Sequence, residues 1–190
     1  PDEELFVALL GPFEPSLGAS ELAKLVGDEL PTRLPDLDLT KHAQALKLVR
    51  DAVRSGTIKV ARDVSEGGLA TTLAECAVGG TGATIDAGPL VERVKRAFPD
   101  ASPDEHARTA LFGEGPGGIV VAGSREDMLA LSSEAASVGF LALGSTGGQV
   151  LSISEPTGTL KEVSLPSSEL QRIHGSAIDE RIALAERVTP

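Results

Sequence analysis

Apolar residues recur along the chain at two spacings, which predict alternating strands and helices. Short apolar runs bounded by Gly or Pro predict strands at 5–10, 58–61, 83–85, 118–122, 141–143, 150–153 and 160–165. Apolar residues three or four positions apart predict helices at 18–26, 40–54, 67–78, 90–98, 125–138 and 167–187. The segments 31–38 and 100–104 contain Pro and polar residues and are predicted to be loops.

The two most regular helices each carry one apolar stripe. In segment 40–54 the predicted core-facing residues are Ala43, Leu46, Val49 and Val53. In segment 67–78 they are Leu69, Ala70, Leu73, Ala74 and Ala77. Both stripes predict that these helices pack on a sheet.

The order of the elements predicts the fold class. Strands and helices alternate in the first part of the chain, and consecutive strands follow near its end. This order favours an α+β fold, a layered α/β/α arrangement with a mixed sheet, formed by residues 1–190 as a single domain. Gly147 and Gly148 lie between two predicted strands and indicate a hairpin there.

Composition limits the classes of function. Hydrophobic residues make up 41% of the 190 residues and aromatic residues only 3%, so the core must consist mainly of Ala, Val, Leu and Ile. The net charge of −11, from 17 basic and 28 acidic residues, argues against binding to nucleic acid or to anionic lipid. No apolar run approaches the length of a membrane span.

The start of the chain indicates a cytoplasmic fragment cut from a larger protein. It opens on Pro1 and acidic residues, reaches an apolar strand at once and has no basic, signal-like segment. Cys76 is the only cysteine, which excludes an internal disulfide. His42, His106 and His174 lie in unrelated contexts without metal-ligand spacing. No catalytic residue is assigned.

Segment 58–69 (IKVARDVSEGGL) is the first candidate site. A strand leads to Asp63, a polar turn follows, and Gly67 and Gly68 open a helix. A carboxylate at a strand end is a candidate Mg²⁺ ligand, and glycines at a helix start let a phosphate approach backbone N–H groups. A purely structural role, with Ser65 as a helix cap and glycines that allow a close helix-to-strand crossing, explains the same residues and is favoured by the residues alone. Both interpretations nevertheless stay open.

Segment 111–121 (LFGEGPGGIVV) is the second candidate. Its four glycines and one proline lead into a buried strand, and Glu114 lies among them. Such a loop can cradle a phosphate, with Glu114 available to a metal ion. It also fits a surface turn in which the glycines adopt unusual dihedral angles. No Lys-Ser or Lys-Thr follows the glycines, so the segment is not a P-loop.

Three segments resemble those of a known family, in the family's order. Residues 11–13 (GPF) and 17–24 (LGASELAK) resemble its LG(G)SE segment, residues 61–70 (ARDVSEGGLA) its signature A-H-D-[VIC]-S-[DE]-G-G-L-A, and residues 111–114 (LFGE) its L-F-[SA]-E-S segment. Over nearly its whole length the chain is similar to the C-terminal domain of the aminoimidazole ribonucleotide synthetase superfamily. The first segment points to the phosphoribosylformylglycinamidine synthases within it.

This resemblance implies a place in an ATP-dependent carbon–nitrogen ligase of purine synthesis. Such synthases phosphorylate the amide oxygen of formylglycinamide ribonucleotide, and ammonia from a glutaminase then displaces the phosphate to give the amidine. The implied cofactors of the full-length enzyme are ATP and Mg²⁺. By resemblance, Asp63 would face the metal, and Ser65, Gly67, Gly68 and Glu114 the nucleotide.

The resemblance also implies that the chain acts only together with other domains. The family's catalytic histidine and most of its ligands belong to those domains, so the chain alone is expected to be inactive and to bind no cofactor tightly. The implied partners are the remaining domains of the same subunit, the glutaminase and a small accessory subunit.

Four positions depart from the family pattern and keep two alternatives open. Arg62 replaces the usual His, Gly113 and Gly115 replace Ser, and Gly118 stands where Arg is common. These changes remove hydroxyl and guanidinium groups that can hold a phosphate. They favour a structural or docking domain that touches no ligand, whereas the presence of Asp63, Gly67 and Gly68 favours a nucleotide site. The other alternative is the same domain from a sibling, such as aminoimidazole ribonucleotide synthetase or selenophosphate synthetase.

Overall fold

A computed structural model describes residues 3–27, 37–155 and 162–188. Within these residues, one sheet contains β1 (Phe6–Leu10), β2 (Val60–Asp63), β3 (Ala83–Asp86), β4 (Ile119–Gly123), β5 (Phe140–Thr146), β6 (Val150–Ser154) and β7 (Val163–Pro166). The helices are α1 (Glu21–Val26), α2 (Leu39–Ser55), α3 (Gly68–Ala77), α4 (Gly88–Ala97), α5 (Pro103–Phe112), α6 (Arg125–Glu134), followed by a 3₁₀ turn at Ala135–Ser137, and α7 (Ser167–Val188). None of the helices in this part of the chain is long and apolar enough to cross a membrane.

The sheet is mixed, as the sequence predicts. Its strand order is β2-β4-β1-β5-β3-β6-β7, and every pair is antiparallel except the parallel pair β3–β6. The edge strands are therefore β2 and β7. The strands predicted at 5–10, 83–85, 118–122 and 150–153 coincide with β1, β3, β4 and β6 to within one residue at each end.

Helices cover the sheet on both faces, which confirms the layered α/β/α arrangement. In β1, Val7 and Leu9 belong to one apolar cluster, whereas Ala8 and Leu10 belong to another. The first cluster includes buried residues of α3, α4, α5 and α7, and we call this side of the sheet the α3 face. The second includes buried residues of α2 and α6, and we call this side the α2 face. The alternation follows from the two-residue period of a strand.

The predicted apolar stripe of α2 is correct at Val49 and wrong at its other three positions. The buried residues are Ala45, Val49 and Ala52, whereas Leu46 and Val53 are each 49% exposed. Two neighbouring stripes of α2 both contain apolar residues at helical spacing, so periodicity alone cannot separate them. The stripe with two alanines faces the sheet, where small side chains let the helix approach closely.

The predicted hairpin around Gly147 and Gly148 is also wrong. Strand β3 lies between β5 and β6 and pairs with both of them. The N–H of Gly82 donates to the carbonyl of Gly148, and the N–H of Gly147 donates to the carbonyl of Gly82, both at 2.9 Å. A Cβ atom on Gly82 would lie 2.4 Å from the nitrogen of Val150. The glycine turn therefore passes over the beginning of β3, and Gly82 makes that close passage possible.

Helix α5 is not predicted from the sequence, and its first residues lie in the predicted loop 100–104. Ser102 caps this helix: its hydroxyl accepts from the N–H of Glu105, and the Glu105 carboxylate accepts from the N–H of Ser102. That backbone hydrogen bond, with a second one from the Ser102 hydroxyl, lowers the pKa of Glu105. The spacing Ser-x-x-Glu with Pro103 at the first helical position is a local signal that could have revealed the helix.

Removal of this cap should cost modest stability. We expect Ser102→Ala to lower the free energy of unfolding by about 1 kcal/mol, because one helix-start N–H loses its acceptor. Urea denaturation followed by circular dichroism measures the change. Ser137→Ala, at an exposed position in the 3₁₀ turn, is the matched control and should change stability by less than about 0.5 kcal/mol. Equal effects of the two substitutions would contradict the capping role.

The remaining differences concern the ends of elements. Strand β2 begins at Val60 and includes Asp63, although the sequence predicts a strand that ends at Ala61. The helix predicted at 18–26 begins at Glu21. In the predicted loop 31–38, residues 31–36 lie outside the described residues, as do residues 160 and 161 of the strand predicted at 160–165.

Candidate functional site

The carboxylate of Glu114 joins the three motif segments. Its Oε1 accepts from the backbone N–H of Glu21 at 2.7 Å and from the backbone N–H of Gly67 at 2.9 Å. Glu21 belongs to the first segment and starts α1, whereas Gly67 belongs to the second and precedes α3. The backbones of Glu114 and Ser16 also exchange two hydrogen bonds of 2.9 Å. Segments far apart in sequence therefore meet at one side chain.

The first segment presents its amide to Glu114 because Ser20 caps α1. The Ser20 side chain is fully buried, and its Oγ accepts from the N–H of Ala23 at 3.1 Å and donates to the carbonyl of Leu17 at 2.8 Å. The Ser20 hydroxyl is thus engaged within the protein. The N–H of Glu21 lies in the first turn, where N–H groups have no partner inside the helix, and Glu114 supplies that partner.

The start of α3 needs both of its glycines. Gly67 and Gly68 have φ of +80° and +70°, in the left-handed region. A Cβ atom on Gly68 would lie 2.7 Å from the carbonyl oxygen of Gly113 and 2.8 Å from that of Leu111. Gly68 therefore permits a close approach between the start of α3 and the end of α5. The predicted close crossing thus exists, but the start of α3 crosses the end of helix α5 and not a strand.

Ser65 does not cap α3. The N-cap is Gly67, which makes no side-chain capping hydrogen bond, and Ser65 contributes only its carbonyl, which accepts from the N–H of Gly68 at 3.1 Å. Its side chain is exposed. The structure therefore leaves the Ser65 hydroxyl at the surface next to the glycine turn, and its assignment to a nucleotide stays a prediction.

The glycines around Glu114 have close neighbours of their own. A Cβ atom on Gly113 would lie 2.3 Å from the carbonyl oxygen of Thr109, and one on Gly115 would lie 2.8 Å from that of Glu14. On Gly118 it would lie 2.6 Å from the ring of Phe13. These positions exclude side chains for reasons of packing, which is the behaviour expected of a tight turn.

Asp63 lies apart from the start of α3. It is the last residue of the edge strand β2 and is paired with Ile119, which belongs to the α2 face. Residues opposite each other in antiparallel strands project to the same face, so Asp63 also faces the α2 side. The start of α3 packs on the other face. Asp63 and the glycine turn at Gly67 and Gly68 therefore project to opposite faces of the sheet.

The Asp63 carboxylate lines an open groove on the α2 face. The groove lies between α2 and the segment 115–118, and His42 of α2 contributes to it. The Nδ1 atom of His42 is buried and, among the described residues, has no hydrogen-bond partner. It faces Gly117, where a Cβ atom would lie 3.1 Å from it. His42 is not predicted as a site residue, because 21 positions separate it from Asp63 and no local pattern connects them.

Asp63 fits a metal ion only as one ligand among several. Among the described residues, no group of three or more His, Cys, Asp or Glu side chains could hold a metal. Mg²⁺ bound to a nucleotide takes one or two protein carboxylates, with phosphate and water oxygens as its other ligands. The exposed Asp63 carboxylate can supply one of these carboxylate ligands. This chain can therefore contribute to a shared magnesium site, but it has no metal centre of its own in the residues that the structure describes.

Arg62, which replaces the family's usual histidine, faces the opposite side from Asp63. Its guanidinium forms an ion pair with Glu75 of α3. The pair links the edge strand to the helix that covers the α3 face. Because both side chains are substantially exposed, its contribution to stability is small.

Comparison with known proteins identifies the family of this fold. The model of the family described as AIR synthase related protein, C-terminal domain, matches residues 5–154. The phosphoribosylformylglycinamidine synthase subunit PurL of Brucella ovis is 36% identical to the chain over 152 residues. That match covers 78% of the chain but only 18% of the Brucella protein, so the chain spans less than a fifth of this relative's length.

Solved structures share the same fold at low sequence identity. The Thermotoga maritima PurL complexed with FGAR has a TM-score of 0.65 and 16% identity, and the similarity covers 88% of this chain and 28% of that one. The hydrogenase maturation protein HypE has a TM-score of 0.53 and 18% identity, over 85% of this chain and 52% of that one.

The family match includes the whole candidate site. Residues 5–154 contain the three motif segments, both glycine-rich turns and strands β1 to β6. Strand β7 and helix α7 lie beyond it. The chain therefore belongs to the AIR synthase related proteins, as a C-terminal domain of that family.

Proposed function

We propose that this chain is the C-terminal domain of a phosphoribosylformylglycinamidine synthase subunit. The family membership and the identity of 36% to the Brucella ovis PurL subunit support this proposal. In the proposed reaction, ATP phosphorylates the amide oxygen of formylglycinamide ribonucleotide, and ammonia then displaces the phosphate. The chain would contribute one wall of the nucleotide site and no catalytic residue.

The groove that contains Asp63 is the observation that carries this proposal. Asp63 is exposed and forms no ion pair or hydrogen bond with the described residues. Beside it run the backbone of segment 115–118 and the unpartnered Nδ1 of His42. A free carboxylate in an open groove suits a Mg²⁺ ion that also binds the phosphates of ATP. A second domain would supply the other wall and the remaining ligands.

A structural or docking domain is the second candidate, and Glu114 favours it. The Glu114 carboxylate already accepts from the amides at the starts of α1 and α3. A phosphate at the start of α3 would have to share that place with a carboxylate, which like-charge repulsion opposes. Under this alternative the motif residues hold the domain together and touch no nucleotide.

The chain alone should be inactive. We expect no ATP hydrolysis and no amidine formation, because the proposed site has only one wall and one carboxylate. Calorimetric titration of Mg-ATP into the chain should give a Kd weaker than about 1 mM. Measurable turnover by the chain that is lost in Asp63→Ala would contradict this expectation.

A chimeric enzyme tests the role of Asp63. Residues 5–154 would replace the matched segment of the Brucella ovis PurL subunit, and amidine formation would be assayed with saturating glutaminase. In this chimera we expect Asp63→Asn to lower nucleotide retention or turnover about tenfold, because a neutral amide binds Mg²⁺ more weakly than a carboxylate. Asp100→Asn, at an exposed position, is the control. An active chimera in which Asp63→Asn changes neither nucleotide content, nor turnover, nor melting temperature would establish the docking alternative.

The proposed partners follow from the same assignment. They are the remaining domains of the subunit, the glutaminase that supplies ammonia and the small accessory subunit, all in the cytoplasm. The Thermotoga maritima structure described as PurLQS shares this fold with a TM-score of 0.59, which supports an assembly of this kind. All described strands share one sheet, which supports the proposal that the chain is a single domain.

A further inference from the structure

Arg93 on α4 is an unusual cation in an acidic protein. Among the Lys and Arg residues whose burial the structure describes, it is the only one that is less than about a third exposed. Although the chain has 28 acidic residues, no carboxylate among the described residues lies within ion-pair distance of Arg93. Its one hydrogen-bond partner in the described ranges is the carbonyl of Phe13, to which Nη1 donates at 3.2 Å. The rest of this guanidinium has no partner in the described part of the chain.

A second arginine lies beside it at the same cavity. Arg93 and Arg96 are three positions apart on the last turns of α4 and line a cavity of about 400 Å³. The Nε of Arg96 donates to its own helix at the carbonyl of Glu92, and Arg96 has no ion-pair partner among the described residues. Val94, Phe98 and Leu141 supply apolar walls. The cavity thus combines two guanidinium groups with apolar surface.

The electrostatics of this cavity favour an anion. Burial, and then the neighbouring positive charge of Arg96, lower the pKa of Arg93, while Glu14 opposes these effects. A partly desolvated cation without a counter-ion is costly, and a bound anion offsets that cost. Glu14 also lines the cavity. Its negative charge disfavours a ligand with several negative charges, such as a polyphosphate.

We propose that this cavity binds a small organic anion that carries a single carboxylate or phosphate on a flat apolar body. The oxyanion would bind the free N–H groups of Arg93 and the guanidinium of Arg96, which suit the paired oxygens of such groups. The apolar body would contact Val94, Phe98 and Leu141. The cavity is separate from the Asp63 groove, with which it shares no lining residue. Binding of an anion in this cavity therefore does not depend on the proposed nucleotide site at Asp63.

Calorimetry on the 190-residue chain tests the proposal. The probes are benzoate, phenyl phosphate, inorganic phosphate and Mg-ATP. We expect benzoate, phenyl phosphate or both to bind more tightly than inorganic phosphate and Mg-ATP, and their ranking distinguishes a carboxylate site from a phosphate site. Arg96→Gln should weaken the tighter probe about tenfold, since a charged hydrogen bond is lost.

Two further variants complete the test. Arg54→Gln removes an exposed arginine of α2 that has no ion-pair partner among the described residues, and it should leave the affinity unchanged. Arg93→Gln should abolish binding, and circular dichroism shows whether the variant still folds. If the Arg93→Gln variant does not fold, the affinity measured with Arg96→Gln alone tests the proposal. Absence of binding by benzoate and phenyl phosphate at about 10 mM, or binding that Arg96→Gln leaves unchanged, would overturn the proposal.

Discussion

Glu114→Ala should lower the free energy of unfolding by about 2–3 kcal/mol. The substitution removes the acceptor from two backbone N–H groups, of Glu21 and of Gly67, at the starts of two helices. Helix-start N–H groups have no partner inside the helix, and the helix dipole also favours a negative charge there. Because Glu114 is only partly buried, water replaces part of the loss. Urea denaturation with a fitted m-value measures the change.

Glu114→Gln separates the hydrogen bonds from the charge. Its amide oxygen keeps an acceptor at the same place, so we expect a loss of about 1 kcal/mol, which corresponds to the interaction with the helix dipoles. Glu134→Ala, at an exposed position at the end of α6, is the control and should change stability by less than about 0.5 kcal/mol. If Glu114→Ala is as mild as the control, the carboxylate does not hold the three segments together. That outcome would leave Glu114 available to a ligand.

Gly68→Ala should be at least as damaging, with a loss of about 3 kcal/mol. The positive φ of +70° costs an alanine about 1–2 kcal/mol, because its Cβ atom meets the backbone in the left-handed region. The carbonyl oxygens of Gly113 and Leu111, at 2.7 and 2.8 Å from the new Cβ atom, add an overpacking cost of about 1–3 kcal/mol. Both neighbours are backbone atoms, so they can move only if the end of α5 moves.

Gly79→Ala is the matched control at the other end of α3. A Cβ atom on Gly79 would have no neighbour within 4 Å, and its φ is not positive. We therefore expect no loss there, or a small gain from the reduced entropy of the unfolded chain. A Gly68→Ala variant as stable as Gly79→Ala would show that the start of α3 can move away from α5. The backbone would then have room for a larger group than a hydrogen atom at that position.

Local pattern was sufficient for most secondary structure and for the recognition of the motifs. The apolar runs of β1, β3, β4 and β6 and the stripe of α3 are short-range features, because each depends on residues a few positions apart. Capping signals are equally local. The start of α5 is encoded just as locally, because Ser102, Pro103 and Glu105 carry its capping signal within four residues.

Side-chain direction and strand neighbours were decided by the tertiary structure alone. The sequence of β2 does not say which face Asp63 occupies, because that depends on its register with Ile119 of β4. Likewise, nothing near Gly147 indicates that β3 inserts between β5 and β6. The stripe of α2 that faces the sheet was decided by the fit of Ala45 and Ala52 against it.

In the candidate site, too, some features follow from the sequence and others only from the tertiary structure. Sequence alone determined the family, the three motif segments and the presence of a carboxylate in each glycine-rich stretch. Only the fold showed that Glu114 bonds to amides 93 and 47 positions away, at Glu21 and Gly67, while Asp63 remains free on the other face. The physical reason is that residue type and spacing encode local conformation, whereas contacts between distant segments depend on how the sheet pairs and which face each helix covers.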